Sequence, residues 1–180
     1  MKLLIASDIH GAAPACRELM AAFRREGADR LVLLGDLLYH GPRNGLPEGY
    51  DPRAVAALLN ESRDRILCVR GNCDSEVDQM MLSFPILSDF ALIEAQGRTL
   101  CATHGHLWNA GRLPPLAPGD ILLIGHTHVP AWEACGDNWC LNPGSVSLPK
   151  RETPQSYMTL ADGVFSWKTL AGETYHRWTE

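Results

Sequence analysis

Short apolar runs alternate with amphipathic or turn-rich stretches through the first half of the chain. Lys2–Ser7 reads as a buried strand, Leu31–Leu34 as a second and Ile66–Val69 as a third. Between the first two, Leu19, Met20 and Phe23 keep helical spacing from about Pro14 to Glu26, and Gly27 stops the helix. Pro52 opens a second helix carrying Val55, Leu58 and Leu59, after a turn-rich loop from Asp36 to Asp51. Strand, helix, strand, helix, strand predicts a mostly parallel sheet with right-handed crossovers. The later pattern differs. Ala91–Ala95 and Thr99–Thr103 flank Gln96-Gly97-Arg98 as a hairpin, Ile121–Ile124 is another strand, and two more hairpins turn at Gly136-Asp137 and Asp162-Gly163. This half predicts a second sheet packed on the first, within one domain over residues 1–180. Trp132, Trp139, Trp167 and Trp178 fall there and read as core or edge cover.

Composition narrows the class. Apolar residues at 46% and charged residues at 21% describe an ordinary globular chain, and no apolar run approaches the roughly 20 residues that span a bilayer. The opening run meets Asp8 too early for a signal peptide, so the expected location is the cytoplasm. Six cysteines (Cys16, Cys68, Cys73, Cys101, Cys135, Cys140) include no CxxC pair and read as reduced, mostly buried thiols. A net charge of −5 with no basic tract argues against long nucleic acid as a partner. A small phosphate ester stays compatible, because bound cations supply positive charge locally.

The chemistry lies at the strand ends. Asp8 and His10 follow the first strand, Asp36 the second through Gly35, and Asn72 the third through Gly71. His104 follows the run ending at Thr103; His126 and His128 follow the run ending at Ile124. In open α/β sheets ligands bind at the carboxyl ends of strands. Alone, each residue has an ordinary reading: an aspartate as a turn former, a histidine as a hydrogen-bonded structural residue. Together, five of seven histidines fall at three strand ends with two aspartates beside them. Mixed carboxylate, imidazole and amide suit divalent Mn, Fe, Zn, Co or Ni, with manganese the leading expectation. Seven groups exceed one transition metal but suit two ions about 3.5–4 Å apart, which polarise a phosphoryl group and activate a bridging water. Hydrolysis of a phosphate ester by in-line attack is the expected reaction.

These motifs (Asp8-Ile9-His10, Gly35-Asp36, Gly71-Asn72-Cys73-Asp74, His104-Gly105-His106 and Gly125-His126-Thr127-His128) resemble the calcineurin-like metallophosphoesterase superfamily. The match runs in order to about residue 150. The stretches 35–44, 70–78 and Asn142-Pro143-Gly144-Ser145-Val146 are similar to its bacterial YfcE-type phosphodiesterases. The resemblance implies an α/β fold, a four-layer αββα sandwich of two mixed sheets flanked by helices. It further implies Asp8, His10 and His128 on a first metal, Asn72, His104 and His126 on a second, and Asp36 bridging.

Cys73 departs from the superfamily pattern. Many members carry histidine there, thought to protonate the leaving group, whereas a thiol of ordinary pKa near 8.5 is a poorer donor at neutral pH. A preference for phosphodiesters or good leaving groups is therefore expected. His40 and Arg43, in the loop after Asp36, are candidates to donate a proton and to hold a phosphate oxygen. His106 is expected at most to orient a ligand, and His176 reads as surface. The competing function is a non-catalytic protein-interaction scaffold of the Vps29 type, in which the site would be a relic. Such scaffolds can lose site histidines, whereas every ligand position here is filled. Aromatic-bearing hairpins leave a homo-oligomer possible.

Overall fold

The computed structural model describes residues 1–95 and 97–179. The first sheet begins with β1 (Leu3–Ala6) and β2 (Arg30–Leu33), which run parallel with Leu3 opposite Arg30 and Ala6 opposite Leu33; β3 (Ile66–Cys68) adds a third parallel strand. On the other side of β1, β9 (Ser156–Ala161), β10 (Val164–Thr169) and β11 (Thr174–Trp178) follow antiparallel, giving the order β11-β10-β9-β1-β2-β3. The second sheet has the order β4-β5-β6-β8-β7, from β4 (Phe90–Ala95), β5 (Arg98–Thr103), β6 (Ile121–Leu123), β7 (Ala131–Cys135) and β8 (Asn138–Asn142). There β5, β6 and β8 are parallel, and hairpin partners close both edges. Both sheets are mixed, as the resemblance implied.

Period-two alternation explains the layering. Leu4, Ala6, Leu31 and Leu33 face the helices, while Leu3, Ile5, Val32 and Leu34 face the second sheet. From that sheet Leu100, Ala102, Ile121, Leu123 and Leu141 point back, and Met158, Leu160 and Trp167 complete the shared core. Each fully buried Leu, Ile, Val or Met among them stabilises the fold by about 1.5–3 kcal/mol. Helix α1 (Ala13–Glu26) covers the outer face of the first sheet with Cys16, Leu19, Met20 and Phe23. It ends at Gly27 in the left-handed region, whose N–H donates to the Arg24 carbonyl. Helix α2 (Pro52–Asn60) starts where Asp51 accepts the Ala54 N–H at 3.0 Å, and it buries Val55, Ala56 and Leu59. Over the second sheet the outer layer is the 105–120 segment, whose Leu113 and Leu116 pack on Cys101, Leu122, Ile124, Cys135 and Cys140.

Two elements were not legible in the hydrophobic pattern. Helix α3 (Glu76–Met81) is short, buries nothing and is fixed by a Ser75–Asp78 capping box. Strand β11 brings His176 onto Trp132, with ring centroids 3.6 Å apart and planes 14° from parallel. His176 is thus half-buried rather than a plain surface residue. Of the expected Gln96-Gly97-Arg98 turn, Gln96 lies outside the described residues. Trp167 is fully buried and donates to the Asn142 carbonyl at 2.7 Å, whereas Trp132 covers an edge. All six cysteines are free. Among the described residues no helix is long and apolar enough to cross a membrane.

Candidate metal centre

The carboxyl ends of β1, β2, β3, β5 and β6 converge, so their following turns meet over one end of the sandwich. The turns are locked to each other by main chain: Asp8 N–H donates to Gly35 O, His10 N–H to Asp36 O, and Gly125 N–H to His104 O. Glycine permits this closeness. A Cβ on Gly35, which also carries φ +96, would collide with the Gly71 backbone, and one on Gly125 would collide with the Ser7 hydroxyl. The polar residues pay in backbone strain. Asp8, His10, Asp36, His126 and His128 all have φ between 50 and 65, a region that costs a non-glycine residue about 1–2 kcal/mol. Strain of this kind persists where surrounding contacts fix it, and here it aims five polar side chains at one place.

Those side chains form two overlapping groups. In the first, His10 Nε2 lies 3.3 Å from His128 Nε2 and 3.6 Å from Asp8 Oδ1, and His128 Nε2 is 3.3 Å from Asp8 Oδ1. In the second, His104 Nε2 lies 3.1 Å from Asn72 Oδ1 and 3.3 Å from His126 Nδ1. Asp36 Oδ2 touches both, 3.6 Å from His10 Nε2 and 3.4 Å from His104 Nε2. Atoms bound to one ion at about 2.0–2.2 Å stand roughly 3.0–3.6 Å apart, so the spacings suit ligation.

The hydrogen bonds behind the rings fix their tautomers. His10, His104 and His128 each donate Nδ1–H to a carbonyl, of Tyr39, Leu34 and Leu148, at 2.8, 2.6 and 2.6 Å. Each neutral ring then presents its Nε2 lone pair inward. Asp8 Oδ1 is buried and has no hydrogen-bond partner. Lone pairs facing lone pairs around a buried carboxylate are repulsive unless protons or cations lie between them. The donor set therefore fits divalent cations.

Charge adjusts accordingly. Burial disfavours ionised Asp8, yet His10 and His128 beside it hold its carboxyl well below the ordinary range. Burial likewise opposes a charged His104, but Asp36 and Asp8 raise its pKa to about 9. For His126, burial and the neighbouring His104 push the pKa down.

Asp74, the last residue of the Gly71-Asn72-Cys73-Asp74 motif, is a buried clasp. Its carboxylate accepts the N–H groups of Asp36, Leu37 and Gly71 at 2.8, 2.9 and 2.7 Å, joining the β2 and β3 turns. Asn142 performs a similar task for the histidine turn, donating to Gly125 O at 2.8 Å and Thr127 Oγ1 at 3.0 Å. Ser145 and Ser147 donate to the Asp8 carbonyl at 2.9 and 3.0 Å.

Over the centre opens a cleft of about 410 Å³, lined by Asp36, Asn72, Cys73, His126 and His128 together with Arg43 and Lys150. Arg43 and Cys73 are thus placed at the cleft. Burial first, and Asp36 second, push the Cys73 thiol up to about 12, so it holds its proton at neutral pH. His40 is not among the lining residues. Its ring packs against Tyr39 at 4.7 Å and edge-on to Tyr50 at 5.4 Å. His106 stands beside His104, with ring centroids 5.4 Å apart. Lys150 gave no sequence signal, since it belongs to no strand-end motif.

Similarity to known proteins agrees with this geometry. A family profile described as the calcineurin-like phosphoesterase superfamily domain matches residues 1–162. Phosphodiesterase YfcE of Escherichia coli strain K12 is 51% identical over 166 residues, which cover 92% of this chain and 90% of that protein. A solved structure of the E. coli phosphoesterase YfcE superposes with a TM-score of 0.96 at 47% identity, covering 99% of both chains. A zinc complex of Vps29 from Entamoeba histolytica shares the fold, with a TM-score of 0.60 at 18% identity over 99% of this chain and 98% of that one. The chain belongs to the calcineurin-like phosphoesterase superfamily, and its activity class is metal-dependent phosphoric ester hydrolysis.

Proposed function

We propose that the protein is a dinuclear phosphodiesterase acting on small phosphodiesters in the cytoplasm through a single domain, residues 1–180. Asp8, His10 and His128 would hold one divalent ion, and Asn72, His104 and His126 a second, with Asp36 shared. The observation that carries this reading is the position of Asp36 Oδ2, within 3.6 Å of a histidine from each group. Two such ions, manganese being the leading candidate, supply Lewis acidity and lower the pKa of a coordinated water.

The chain's own residues do the rest. Asp36 keeps Oδ2 aimed between the groups because Cys73 N–H fixes its other oxygen at 2.8 Å. Arg43 at the cleft rim is placed to pair with a non-bridging phosphate oxygen and so hold the ester for in-line displacement. Cys73 keeps its proton near neutrality and donates it weakly, which favours esters whose leaving groups depart as anions. His40 supports the loop between Tyr39 and Tyr50, so leaving-group protonation falls to Cys73 or to water. No long nucleic acid and no membrane is expected as partner, and the later hairpins offer aromatic surface for self-association.

The test uses protein stripped with chelator and reconstituted with manganese. Hydrolysis of bis-p-nitrophenyl phosphate should exceed that of p-nitrophenyl phosphate, two metals should bind per chain, and Asp36→Ala should lose most of both. Light scattering on the same sample gives the oligomer. No turnover with any divalent metal would sink the enzymatic reading.

A further inference from the structure

Two lobes of unlike chemistry flank the proposed centre. One contains Lys150, facing the cleft with Arg43, Asn44 and Thr127. The other, about 530 Å³, shares Pro42, Arg43, Asn72 and Cys73 with the first and is walled by Tyr39 and Val77, which are 41% and 68% exposed, with Ser75 and Asp78 beside them. A diester has two arms, and the phosphorus over the centre would send one into each lobe.

Lys150 is held in place. Its N–H donates to the carbonyl of His128 at 3.2 Å, so it rides on the histidine turn itself. The next two residues, Arg151 and Glu152, both take left-handed backbone at φ 54 and 58, and Thr153 N–H closes the turn onto Lys150 O at 3.2 Å. Two consecutive non-glycine residues in that region make a strained turn where glycine or asparagine is usual. The cation is also uncommitted. The chain has three lysines; Lys2 and Lys168 both bind Glu26 at 2.8 and 2.7 Å, whereas no hydrogen bond or ion pair reaches the Lys150 ammonium among the described residues. Arg43 is equally unpaired there and, in the reading above, is already assigned to the scissile phosphate. A second unpaired cation lining the cleft is placed to meet a second anion on the substrate. The second lobe offers an aromatic ring and a branched aliphatic side chain, surfaces that favour a planar, apolar arm, and the Asp78 carboxylate there repels an anionic one.

We propose, resting on the phosphodiesterase reading above, that the substrate is an asymmetric phosphodiester: one arm apolar and aromatic against Tyr39 and Val77, the other bearing a second anionic group that meets Lys150.

The test compares p-nitrophenyl thymidine 5′-phosphate with the same compound carrying a 3′-phosphate, using the manganese-loaded full chain. In each, water oxygen joins phosphorus, the aryl P–O bond breaks, and p-nitrophenolate leaves with the electron pair. The 3′-phosphorylated diester should have a kcat/KM about tenfold higher, carried by KM, as one charge-assisted contact supplies. That ratio should collapse toward one in Lys150→Met and survive in Lys150→Arg. Calorimetric titration with thymidine 3′,5′-bisphosphate against thymidine 5′-phosphate should give the same ordering without turnover. Both diesters cleaved with a ratio near one, or a ratio kept in Lys150→Met, would overturn this inference alone. Failure of both diesters to turn over with any divalent metal would remove the phosphodiesterase reading and this inference with it.

Discussion

The carboxylate of Asp74 accepts the backbone N–H of Asp36 at 2.8 Å, and through that one contact the turn after β3 sets the height of the turn after β2. The same oxygen takes Gly71 N–H, and its partner takes Leu37 N–H. Three buried donors depend on one side chain. Asp74→Asn would turn an amide N–H₂ toward them and leave at least one unpaired, at a cost of about 1–3 kcal/mol. The variant should melt several degrees lower and bind manganese roughly 10–100-fold more weakly. Thermal unfolding and calorimetric titration measure both; an unchanged metal affinity would deny Asp74 its positioning role.

Metal loading should depend on pH in one direction. Burial works against a charged His104, but Asp36 and Asp8 outweigh it and raise its pKa to about 9, while Asp8 raises that of His10. In chelated protein these protons stabilise the fold below pH 6.5, and that contribution fades as pH rises through about 9. Ligation needs neutral rings, so the protons must leave as the cation enters. Manganese affinity should therefore rise from pH 6 to pH 8, with protons released. Chelator competition in buffers of different ionisation enthalpy reads both; an affinity flat across that range would contradict the ligand assignment.

A second pH effect should appear far from the cleft. Glu26, at the end of α1, receives Lys2 and Lys168 at 2.8 and 2.7 Å and the Tyr157 hydroxyl at 2.8 Å. Burial opposes its charge, but these partners depress the pKa from 4.5 to about 2. The stabilisation is full above pH 4.5 and is lost as pH falls toward 2. Glu26→Gln should cost about 2–3 kcal/mol at pH 7, less where its partly exposed lysines are screened by salt. The gap to the native protein should close in acid. Urea melts at pH 7 and pH 3 make the comparison; a constant gap would show that Glu26 acts by packing alone.

Cys73→His tests the protonation argument. An imidazolium at this position would assist poor leaving groups, so hydrolysis of alkyl monoesters should rise by roughly tenfold or more. Diesters of p-nitrophenol, whose leaving group needs no proton, should change little. Steady-state rates on both classes decide, and equal changes would remove Cys73 from leaving-group chemistry.

Much of this candidate site is legible in the chain itself. An apolar run, a glycine and then a ligand-type residue repeat because a strand must be buried, then turn sharply, then present a side chain. Asp36, Asn72 and His126 are legible for that reason, Asp8 and His104 by following an apolar run directly, and the two sheets follow from the change in pattern near residue 90. Asp74 and Lys150 were not legible, because their roles arise from contacts between turns far apart in sequence. Helix α3 carried a signal in Ser75 and Asp78 but no apolar face to flag it. His40 was singled out by its proximity in sequence to Asp36, and the loop packs its ring on Tyr39 and Tyr50.

The three imidazoles whose Nδ1–H groups rest on Tyr39, Leu34 and Leu148 lean on peptide oxygens, not side chains. Replacing any of those three residues removes no acceptor. Alanine scanning would therefore leave in place the props that aim the histidines; Leu34 is held by its burial between the sheets, whereas the exposed Tyr39 is free to drift for other purposes. Tyr39 can be retuned for whatever lies in the cleft while its carbonyl goes on steering His10, so specificity and ring orientation can evolve separately at a single residue.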